Sequence, residues 1–433
     1  MDDLRKVLTV IILALFCFSL MVVFYFNVPE HWDSQNIFVR SVAVAMLYYL
    51  FFILLRTLFL LSLAFVEFLF QRRMPMVKEF PLCTIIVPAY NEGAVIVNAI
   101  KSLLKIDYPN FEILIVDDGS TDNTFENVIG LEEESKVRVI YKPNSGKSEA
   151  LNFGIEQAKG DYYVCVDADS VLSSNLLLDS IPFFEADSNL AAVAGAVNVG
   201  NARNLLTLFQ KLEYIIGLNF HKKAQSCLKM VTIVPGPIGV FKKSAVLSVG
   251  GYKSDTFAED CELSMSLLMN GYNIRYTEKI SATTEAPDTF HALITQRYRW
   301  SRGMLQSIFK SFKALQTNWS LRGFVVVMYM IIETVFIPLI NFSFAILTIE
   351  FALLYETTEL MGPFFLSLII MDLSLCLYSI IMEKQMSKLF ILSILNRLTY
   401  GLSLEFIRFL AIIDELFGIP MKWGVLKRKG MDS

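Results

Sequence analysis

The sequence contains little charge for its length. Asp, Glu, Lys and Arg make up 18% of the 433 residues, and the formal net charge is only −4. No basic stripe dominates, so there is no reason to expect a nucleic-acid partner. Hydrophobic residues make up 54% of the chain, which is more than an ordinary soluble enzyme carries. A soluble domain between membrane segments is the simplest interpretation.

Disulfide and metal-site patterns are also missing. The six cysteines are scattered, and none forms a CxxC pair. We therefore predict buried, reduced thiols rather than a disulfide framework or a zinc site. His31, His221 and His291 lie far apart in the sequence, which argues against a histidine-based metal site.

Long uncharged runs, in contrast, occur near the N-terminus. Residues 7–26 carry no charge and match the roughly 20 residues that cross a bilayer. A signal peptide is the alternative, but no small-x-small cleavage site follows and residues 41–66 form a second apolar run. We predict two transmembrane helices within residues 1–70. For Arg56, inside the second run, we expect snorkelling or an interfacial position rather than a functional charge.

The charges that flank these runs predict an orientation. The loop NVPEHWDSQN between them has no Lys or Arg, whereas QRRMPMVK (71–78) follows the second run. The positive-inside rule therefore places the N-terminus and the residues after 71 in the cytoplasm.

Residues 323–433 are predicted to form C-terminal transmembrane helices and a short cytoplasmic tail. Runs 323–355 and 363–382 are long enough to span, whereas run 389–413 contains three charges. A cytoplasmic tail requires an even number of crossings after the soluble domain. Either the last run lies in the interface, or residues 323–355 form a hairpin broken near Pro338.

Residues 71–287 have the pattern of a cytoplasmic α/β domain. Short apolar runs such as LCTIIVP, FEILIVDD, VRVIY and DYYVCVD alternate with helical segments. This alternation predicts a mostly parallel sheet with both faces covered. Residues 288–322 then read as interfacial amphipathic helices.

Carboxylates follow the predicted strands, where ligands of open α/β sheets bind. The acidic pairs are Asp117 and Asp118, Asp167 and Asp169, and Glu259 and Asp260. Each could be an N-cap or a turn carboxylate. In an extended segment, however, residues i and i+2 point to the same side, so Asp167 and Asp169 can converge on one cation. Two carboxylates with a phosphate-bearing ligand are usual surroundings for magnesium or manganese.

Two other phosphate-binding classes are disfavoured. A GxGxxG fingerprint is absent, which argues against a dinucleotide enzyme. NSGKS (144–148) resembles the end of a P-loop, but the position that needs glycine is Tyr141. ATP hydrolysis is therefore a poor fit.

Five motifs together resemble the family 2 glycosyltransferases in order and spacing. They are TIIVPAYNE (84–92), VDDGSTDNT (116–124), DAD (167–169), AED (258–260) and QRYRW (296–300). The match covers about residues 82–303 and is closest to the processive membrane branch of cellulose, chitin, hyaluronan and poly-N-acetylglucosamine synthases. Within that branch the sequence looks most like poly-β-1,6-N-acetylglucosamine synthases. The resemblance implies a GT-A (Rossmann-like) α/β domain inserted between N-terminal and C-terminal transmembrane helices.

The resemblance implies a site for a UDP-sugar donor and for Mg²⁺ or Mn²⁺. Asp167 and Asp169 would hold the diphosphate and the metal, and Lys147 would contact the diphosphate. The residues that would line the uridine site are Ala89, Tyr90, Glu92 and Asp118.

It also implies a site for a growing glycan acceptor. Asp260, beside Glu259, would be the general base, and a single base implies direct displacement with inversion to a β-linked product. Gly236 and Pro237 of the GPIG turn would contact the acceptor. The residues that would close the site are Gln296, Arg299 and Trp300.

Two details stay open at this point. Trp300 could instead be an interfacial anchor, although its QxxRW surroundings favour a sugar contact. Ala258 stands where this branch commonly has threonine, so any role of that hydroxyl is in doubt.

The predicted function is a multi-pass cell-membrane transferase that polymerises a β-linked polysaccharide and translocates it. UDP-N-acetylglucosamine is the preferred donor, ahead of UDP-glucose. The expected partners are the donor, the glycan, membrane lipids and an accessory membrane subunit. One alternative is a non-processive transferase that adds one sugar to a lipid. Another is a sugar-binding transporter or scaffold with a decayed transferase domain.

Overall fold

The computed structural model describes residues 37–71, 77–167, 170–354, 358–383 and 389–421. The predicted membrane helix at 7–26, Asp169 of the DAD motif and the tail after residue 421 lie outside these segments.

Helices and strands alternate in the first half of the described chain, and helices alone make up the last third. The strands are β1 Cys83–Ala89, β2 Phe111–Asp117, β3 Val137–Tyr141, β4 Tyr162–Cys165, β5 Val171–Leu172, β6 Leu190–Val199, β7 Gly239–Lys242 and β8 Asn273–Thr284. The α-helices are α1 Ile37–Gln71, α2 Ile96–Leu103, α3 Thr124–Ile129, α4 Lys147–Gln157, α5 Leu176–Ala186, α6 Leu205–Glu213, α7 Phe220–Cys227, α8 Lys243–Ser248, α9 Glu259–Met269, α10 Phe290–Thr317, α11 Leu321–Ile331, α12 Ile337–Leu354, α13 Thr358–Glu383, α14 Leu389–Asn396 and α15 Leu402–Leu416. In the described segments, three π-helical segments (Tyr214–Asn219, Ile332–Phe336 and Arg397–Gly401) join neighbouring helices, and a 3₁₀ turn (Gly130–Glu133) follows α3.

The strands form one eight-stranded sheet in the order β3-β2-β1-β4-β7-β6-β8-β5. The half β3-β2-β1-β4 is parallel, as predicted. The other half is mixed, because β7 runs antiparallel to both β4 and β6, and β5 is antiparallel to β8. β6 is nevertheless parallel to β8, so the prediction of a mostly parallel sheet is confirmed only in part and the sheet is mixed. The connection from β6 to β7 contains α6, the π segment Tyr214–Asn219 and α7, followed by an irregular stretch, and β7 returns antiparallel to β6.

Alternation along the strands divides the core between the two faces of the sheet. In β1, Ile85 and Val87 belong to one hydrophobic cluster, and Ile86 belongs to the other. This is the period of two expected for a strand that is buried on both faces. Helices cover both faces, so the polar ends of β1, β2 and β4 are where the sheet is open to a ligand.

Among the described residues, three helices are long and apolar enough to cross a membrane: Arg40–Gln71, Leu321–Glu350 and Phe364–Ile381. Leu389–Asn396 and Thr399–Leu416 pass the same test together, but they are bent by 52° relative to each other. Such a bend is compatible with a broken span or with a segment that enters and leaves on one side.

The hairpin predicted as one possibility near Pro338 is absent from the described residues 321–350. Leu321–Glu350 is one continuous candidate span through the π segment Ile332–Phe336. Pro338 is the second residue of α12 and follows that segment directly. A proline lacks the N–H that would bond back into the preceding turn, and a π segment changes the bonding there without ending the helix.

Arg56 has a partner that the sequence did not indicate. Its guanidinium forms a bidentate pair with Glu333, with distances of 2.8 Å and 2.5 Å. A charge among apolar helices is stabilised by a partner of opposite sign, and here the partner is on the candidate span Leu321–Glu350. The snorkelling or interfacial position expected for Arg56 stays a prediction.

A buried polar junction joins α1 to the sheet. Arg275 of β8 donates to Glu67 of α1 at 2.8 Å, and Ser226 donates to the same carboxylate at 2.7 Å. Gln71 donates to the carbonyl of Tyr276 at 2.6 Å. The α/β domain is therefore fixed directly to the first candidate span.

Candidate active site

Two aspartates end the second strand, and the first of them is fully buried. Asp117 pairs with Ala89 across β1 and β2. Oδ1 of Asp117 accepts a hydrogen bond from the backbone N–H of Ser120 at 2.8 Å. Oδ2 is buried and has no partner among the described residues. A buried carboxylate oxygen normally accepts a hydrogen bond. We therefore add Asp117 to the candidate site residues, although the sequence alone did not predict a role for it.

Asp118, predicted to line the uridine site, organises a loop. Its carboxylate accepts backbone hydrogen bonds from Ser145 (3.1 Å) and Gly146 (2.8 Å). Lys142 lies 2.6 Å from it. The loop closes at Gly146, whose φ of +95° favours glycine. Asp118 thereby fixes the position at which α4 begins, and Lys147 is the first residue of that helix.

The turn after β1 displays the other predicted uridine contacts. Ala89 is buried, whereas Tyr90 is 48% exposed. Asn91 has φ of 56°, a conformation that few residues other than glycine adopt. The backbone N–H of Glu92 donates to Thr124 at 2.8 Å. The accessible aromatic ring of Tyr90 therefore lies at the carboxyl end of β1.

Lys147 joins two of the predicted acidic positions. Its Nζ lies 2.7 Å from Oδ1 of Asp167 and 3.4 Å from Oε1 of Glu259. A Cβ placed on Gly236 would lie 3.4 Å from that Nζ and 3.7 Å from Oδ2 of Asp167. The GPIG turn thus borders the same charged group. The structure brings these four predicted residues together from four separate parts of the sequence.

Lys147 is a cation in this setting. Burial of the ammonium group alone would lower the pKa of Lys147. The negative charges of Asp167 and Glu259 outweigh this effect and raise the pKa of Lys147 above its usual value. The side chain remains 37% exposed, so it can also meet an anionic ligand from solvent.

Asp260 has an environment that suits a general base. Burial, and next the charge of Glu259, raise the pKa of Asp260 from 3.8 to about 6. Oδ1 accepts the backbone N–H of Cys261 at 2.8 Å, and the charges of Lys147 and Arg299 partly oppose the rise. A carboxylate with a pKa near the working pH is ionised and still accepts a proton well.

The helix that carries Asp260 is tied to the GPIG turn. The hydroxyl of Ser264 donates to the carbonyl of Asp260 at 2.7 Å and accepts from the N–H of Val234 at 2.9 Å. The base and the residues before Gly236 and Pro237 therefore keep a fixed distance from each other.

The predicted QxxRW residues lie on α10, which packs against the loop before Asp260. Nη1 of Arg299 donates to the carbonyl of Phe257 at 3.2 Å. Trp300 is half-buried and packs against one of the two core clusters. Gln296 accepts a hydrogen bond from Arg297. The sugar contact predicted for Trp300 stays a prediction.

Gly303 permits this packing, and the sequence analysis missed it. A Cβ at Gly303 would lie 2.5 Å from the backbone N of Ala258 and 2.6 Å from its Cβ. Both residues must be small for α10 to approach the AED loop. The signal in the sequence was the glycine inside an otherwise strong helical pattern, which often marks a close approach.

The residue types around Asp167 bear on a bound cation. No group of three or more His, Cys, Asp or Glu that could hold a metal occurs among the described residues, and Asp169 is not one of them. Asp167 is present at the end of β4 with a hard oxygen donor set suited to Mg²⁺ or Mn²⁺. With Asp169 two positions later in the sequence, the residue types fit such an ion.

The comparisons with known proteins agree with this arrangement. Residues 84–248 match the family model "Glycosyl transferase family 2". This span includes β1, β2, β4 and the Lys147 region, whereas Asp260 and α10 lie beyond it.

Curated relatives extend the similarity. The chain is 33% identical over 237 residues to the poly-beta-1,6-N-acetyl-D-glucosamine synthase of Staphylococcus aureus (strain COL), which covers 54% of this chain and 58% of the relative. It is 30% identical over 266 residues to the synthase of the same name from Staphylococcus epidermidis, which covers 61% and 65%. The chain thus spans about three fifths of the length of the curated relatives it matches.

A solved structure shares the fold. The mannosyltransferase PcManGT from Pyrobaculum calidifontis, solved in complex with GDP-Man and Mn²⁺, superposes with a TM-score of 0.58 at 18% identity. The match covers 88% of this chain and 99% of that one. The α/β domain is therefore a GT-A-like glycosyltransferase fold with a mixed sheet.

Proposed function

We propose that this protein is an inverting glycosyltransferase that moves a sugar from a UDP-sugar to a glycan hydroxyl. One observation carries the proposal. Asp260, a half-buried carboxylate with a raised pKa, directly follows Glu259, whose carboxylate contacts Lys147. Lys147 also binds Asp167, and both of these residues lie in the span that matches the family 2 glycosyltransferase model. A nucleotide-sugar transferase needs both a base and positive charge for the leaving diphosphate.

The proton and the bonds balance in a single displacement. The acceptor hydroxyl oxygen attacks C1 of the donor sugar as Asp260 takes its proton. The bond from C1 to the diphosphate oxygen breaks, and UDP leaves. Since there is one displacement, the configuration at C1 inverts.

Positive charge for the leaving group comes from two directions. Lys147 reaches the cleft from the start of α4, and Arg299 reaches it from α10, where its charge also acts on Asp260. Asp167 and Asp169 would hold Mg²⁺ or Mn²⁺, which supplies further neutralisation of the diphosphate when bound.

We further propose that the acceptor is a growing β-linked polysaccharide and that the preferred donor is UDP-N-acetylglucosamine. The relatives named above support this choice. The chain would be a multi-pass membrane protein with residues 71–287 as a cytoplasmic catalytic domain and residues 288–322 at the interface. Residues 1–70 and 323–433 would supply the spans through which the glycan crosses. Membrane lipids, and an accessory membrane subunit, are the partners this role implies.

The placement of α10 supports processive synthesis. One side of α10 meets the AED loop, and Tyr298 and Arg302 of the same helix bond to Asp414 and Glu415 at the end of α15. An acceptor held by α10 would lie near helices that can bind the glycan. Each bound sugar adds contacts, so release would be slow relative to the next addition.

The experiment is a donor screen with the purified full-length protein in membranes or detergent. Each UDP-sugar is supplied with Mg²⁺ or Mn²⁺, and UDP release and product size are measured over time. We expect UDP-N-acetylglucosamine to give long products at low conversion, and chelator to abolish turnover until metal is restored.

Other outcomes separate the alternatives. Products that stop after one transfer to a lipid would replace polymerisation with glycolipid synthesis. Full activity in chelator would remove the metal role. Absence of UDP release with every donor would refute the transferase itself.

A further inference from the structure

Arg297 is the second residue of QRYRW, and none of the roles above uses it. The carbon of its guanidinium lies 4.2 Å from the centre of the Trp300 ring, since residues three apart share a helix face. Nη1 donates a hydrogen bond to Oε1 of Gln296. One guanidinium therefore contacts two of the three side chains predicted to close the acceptor site.

A carboxylate from another helix fixes this guanidinium. Nε and Nη2 of Arg297 donate to the two oxygens of Glu213, the last residue of α6, at 3.1 Å and 2.8 Å. The side chains are only 6% and 12% exposed. A bidentate pair sets both the position and the plane of the guanidinium, and a stacked indole must follow that plane.

The same carboxylate is bound from the C-terminal part of the chain. The hydroxyl of Tyr400 donates to Oε2 of Glu213. The Tyr400 ring is stacked on Phe209 of α6, with ring centres 5.5 Å apart and planes 7° apart. The Arg297–Glu213 pair thus joins α6, α10 and the π segment Arg397–Gly401, which belongs to the bent apolar pair of helices.

We propose that Arg297 is a positioning residue for the acceptor sugar: held by Glu213, it fixes the Trp300 ring and the Gln296 amide at the place where the glycan end binds. This inference rests on the proposed transferase function. Arg297 itself is buried and faces its protein partners, so it acts through Trp300 and Gln296. It couples the acceptor site to helices of the C-terminal half without taking part in the chemistry.

The test compares Arg297→Lys and Glu213→Gln with the parent in the full-length protein. Lysine keeps the charge but loses the planar fork and the stacking. Glutamine at 213 keeps a hydrogen-bond acceptor but loses the charge that fixes the guanidinium. We measure the KM of a short β-1,6-linked N-acetylglucosamine oligosaccharide as acceptor, the KM of the UDP-sugar, and the fraction of UDP released without sugar transfer.

We expect the acceptor KM to rise about 10- to 100-fold in Arg297→Lys, because a small displacement of a positioning group costs that much. The donor KM should stay within about twofold, since Lys147 and Asp167 are untouched. Release of UDP without transfer should increase. Glu213→Gln should show the same pattern with a smaller rise.

A second readout reports on Trp300 directly and does not depend on activity. The chain has four tryptophans, so replacing Trp32, Trp319 and Trp423 by Phe leaves Trp300 as the single fluorophore. Loss of the stacked guanidinium in Arg297→Lys should shift its emission spectrum.

Arg302→Lys is the matched control. Arg302 lies on the same helix, is 4% exposed and pairs with Glu415, but its contacts do not include Gln296 or Trp300. The Arg302→Lys substitution should weaken the attachment of α10 to α15 without changing the Trp300 emission or the ratio of acceptor KM to donor KM.

An active parent whose Arg297→Lys variant keeps both its acceptor KM and its Trp300 emission would overturn this inference and leave the transferase function standing. Equal changes in Arg302→Lys would also overturn it, because they would reflect general loosening of α10. A parent that transfers no sugar refutes the proposed function, and the acceptor role of Arg297 falls with it.

Discussion

Replacement of Asp260 by asparagine should separate stability from activity. In the folded protein the pKa of Asp260 is raised from 3.8 to about 6. The folded state therefore binds the proton more tightly than the unfolded state does. The stability that this group contributes is fully present below its unfolded pKa and is lost as the pH rises through about 6. At pH 7 the ionised carboxylate opposes folding.

The size of the effect follows from the shift. About 2 pKa units correspond to at most about 3 kcal/mol of folding free energy at neutral pH. Asn keeps the oxygen that accepts the N–H of Cys261 but carries no charge. We expect Asp260→Asn to be more stable than the parent at pH 7.5 and about equally stable near pH 4. Transfer should fall about 10²–10⁴-fold, because no base remains to take the hydroxyl proton.

The assay is thermal unfolding in detergent at both pH values, together with UDP release. Glu262→Gln is a matched control on the same helix. Burial raises the pKa of Glu262 as well, but this side chain faces Lys310 and Lys253 outside the proposed site. The Glu262→Gln protein should be more stable than the parent at pH 7.5 and keep its activity. An Asp260→Asn protein that is less stable than the parent at pH 7.5, or that retains turnover within a few-fold, would refute the assignment.

Three further changes test the rest of the site. The dependence of kcat/KM on pH should show a fall in activity below about pH 6. Glu259→Gln should move this fall to lower pH, because the Glu259 charge contributes to the raised pKa of Asp260. A pH profile that Glu259→Gln leaves unchanged would contradict this. Lys147→Met should raise the donor KM at least about tenfold by removing a charge from the diphosphate site, and titration with UDP-sugar measures it. Gly303→Ala should destabilise the protein by about 1–3 kcal/mol and lower turnover, since the new Cβ would lie 2.5 Å from a backbone atom. Gly130→Ala is the control: its Cβ would have no atom within 4 Å, so it should change neither stability nor turnover.

The sequence predicted local structure well where local pattern decides it. The parallel half of the sheet followed from short apolar runs, and the strand ends of β1, β2 and β4 lie where the acidic motifs begin. These features depend on alternation and on chain order, which can be read from one sequence. The contacts of Lys147 with Asp167 and Glu259 do not follow from such patterns and become visible only in the structure.

The features that the sequence did not predict concern partners that are distant in sequence. Arg56 finds Glu333 across 277 residues, and no pattern near Arg56 identifies that partner. β7 pairs antiparallel with β4 and β6, and no periodicity in the sequence predicts this direction. Gly303 and Ala258 are small because α10 and the AED loop touch, which becomes visible only once both elements are placed.

The position of α10 explains why the predicted base and the predicted acceptor residues need not be adjacent in sequence. Arg299 bonds to the backbone of Phe257, just before the AED motif, and Tyr298 bonds to Asp414 at 2.5 Å. One rigid helix therefore fixes the distance between Asp260 and Trp300, and the same helix is attached to α15. Breaking a buried ion pair such as Arg302–Glu415 by removing one partner costs about 3–5 kcal/mol, so α10 and α15 should move together. A glycan that displaced the C-terminal helices would then also displace the acceptor site, and this coupling would link each transfer to the forward step of the product.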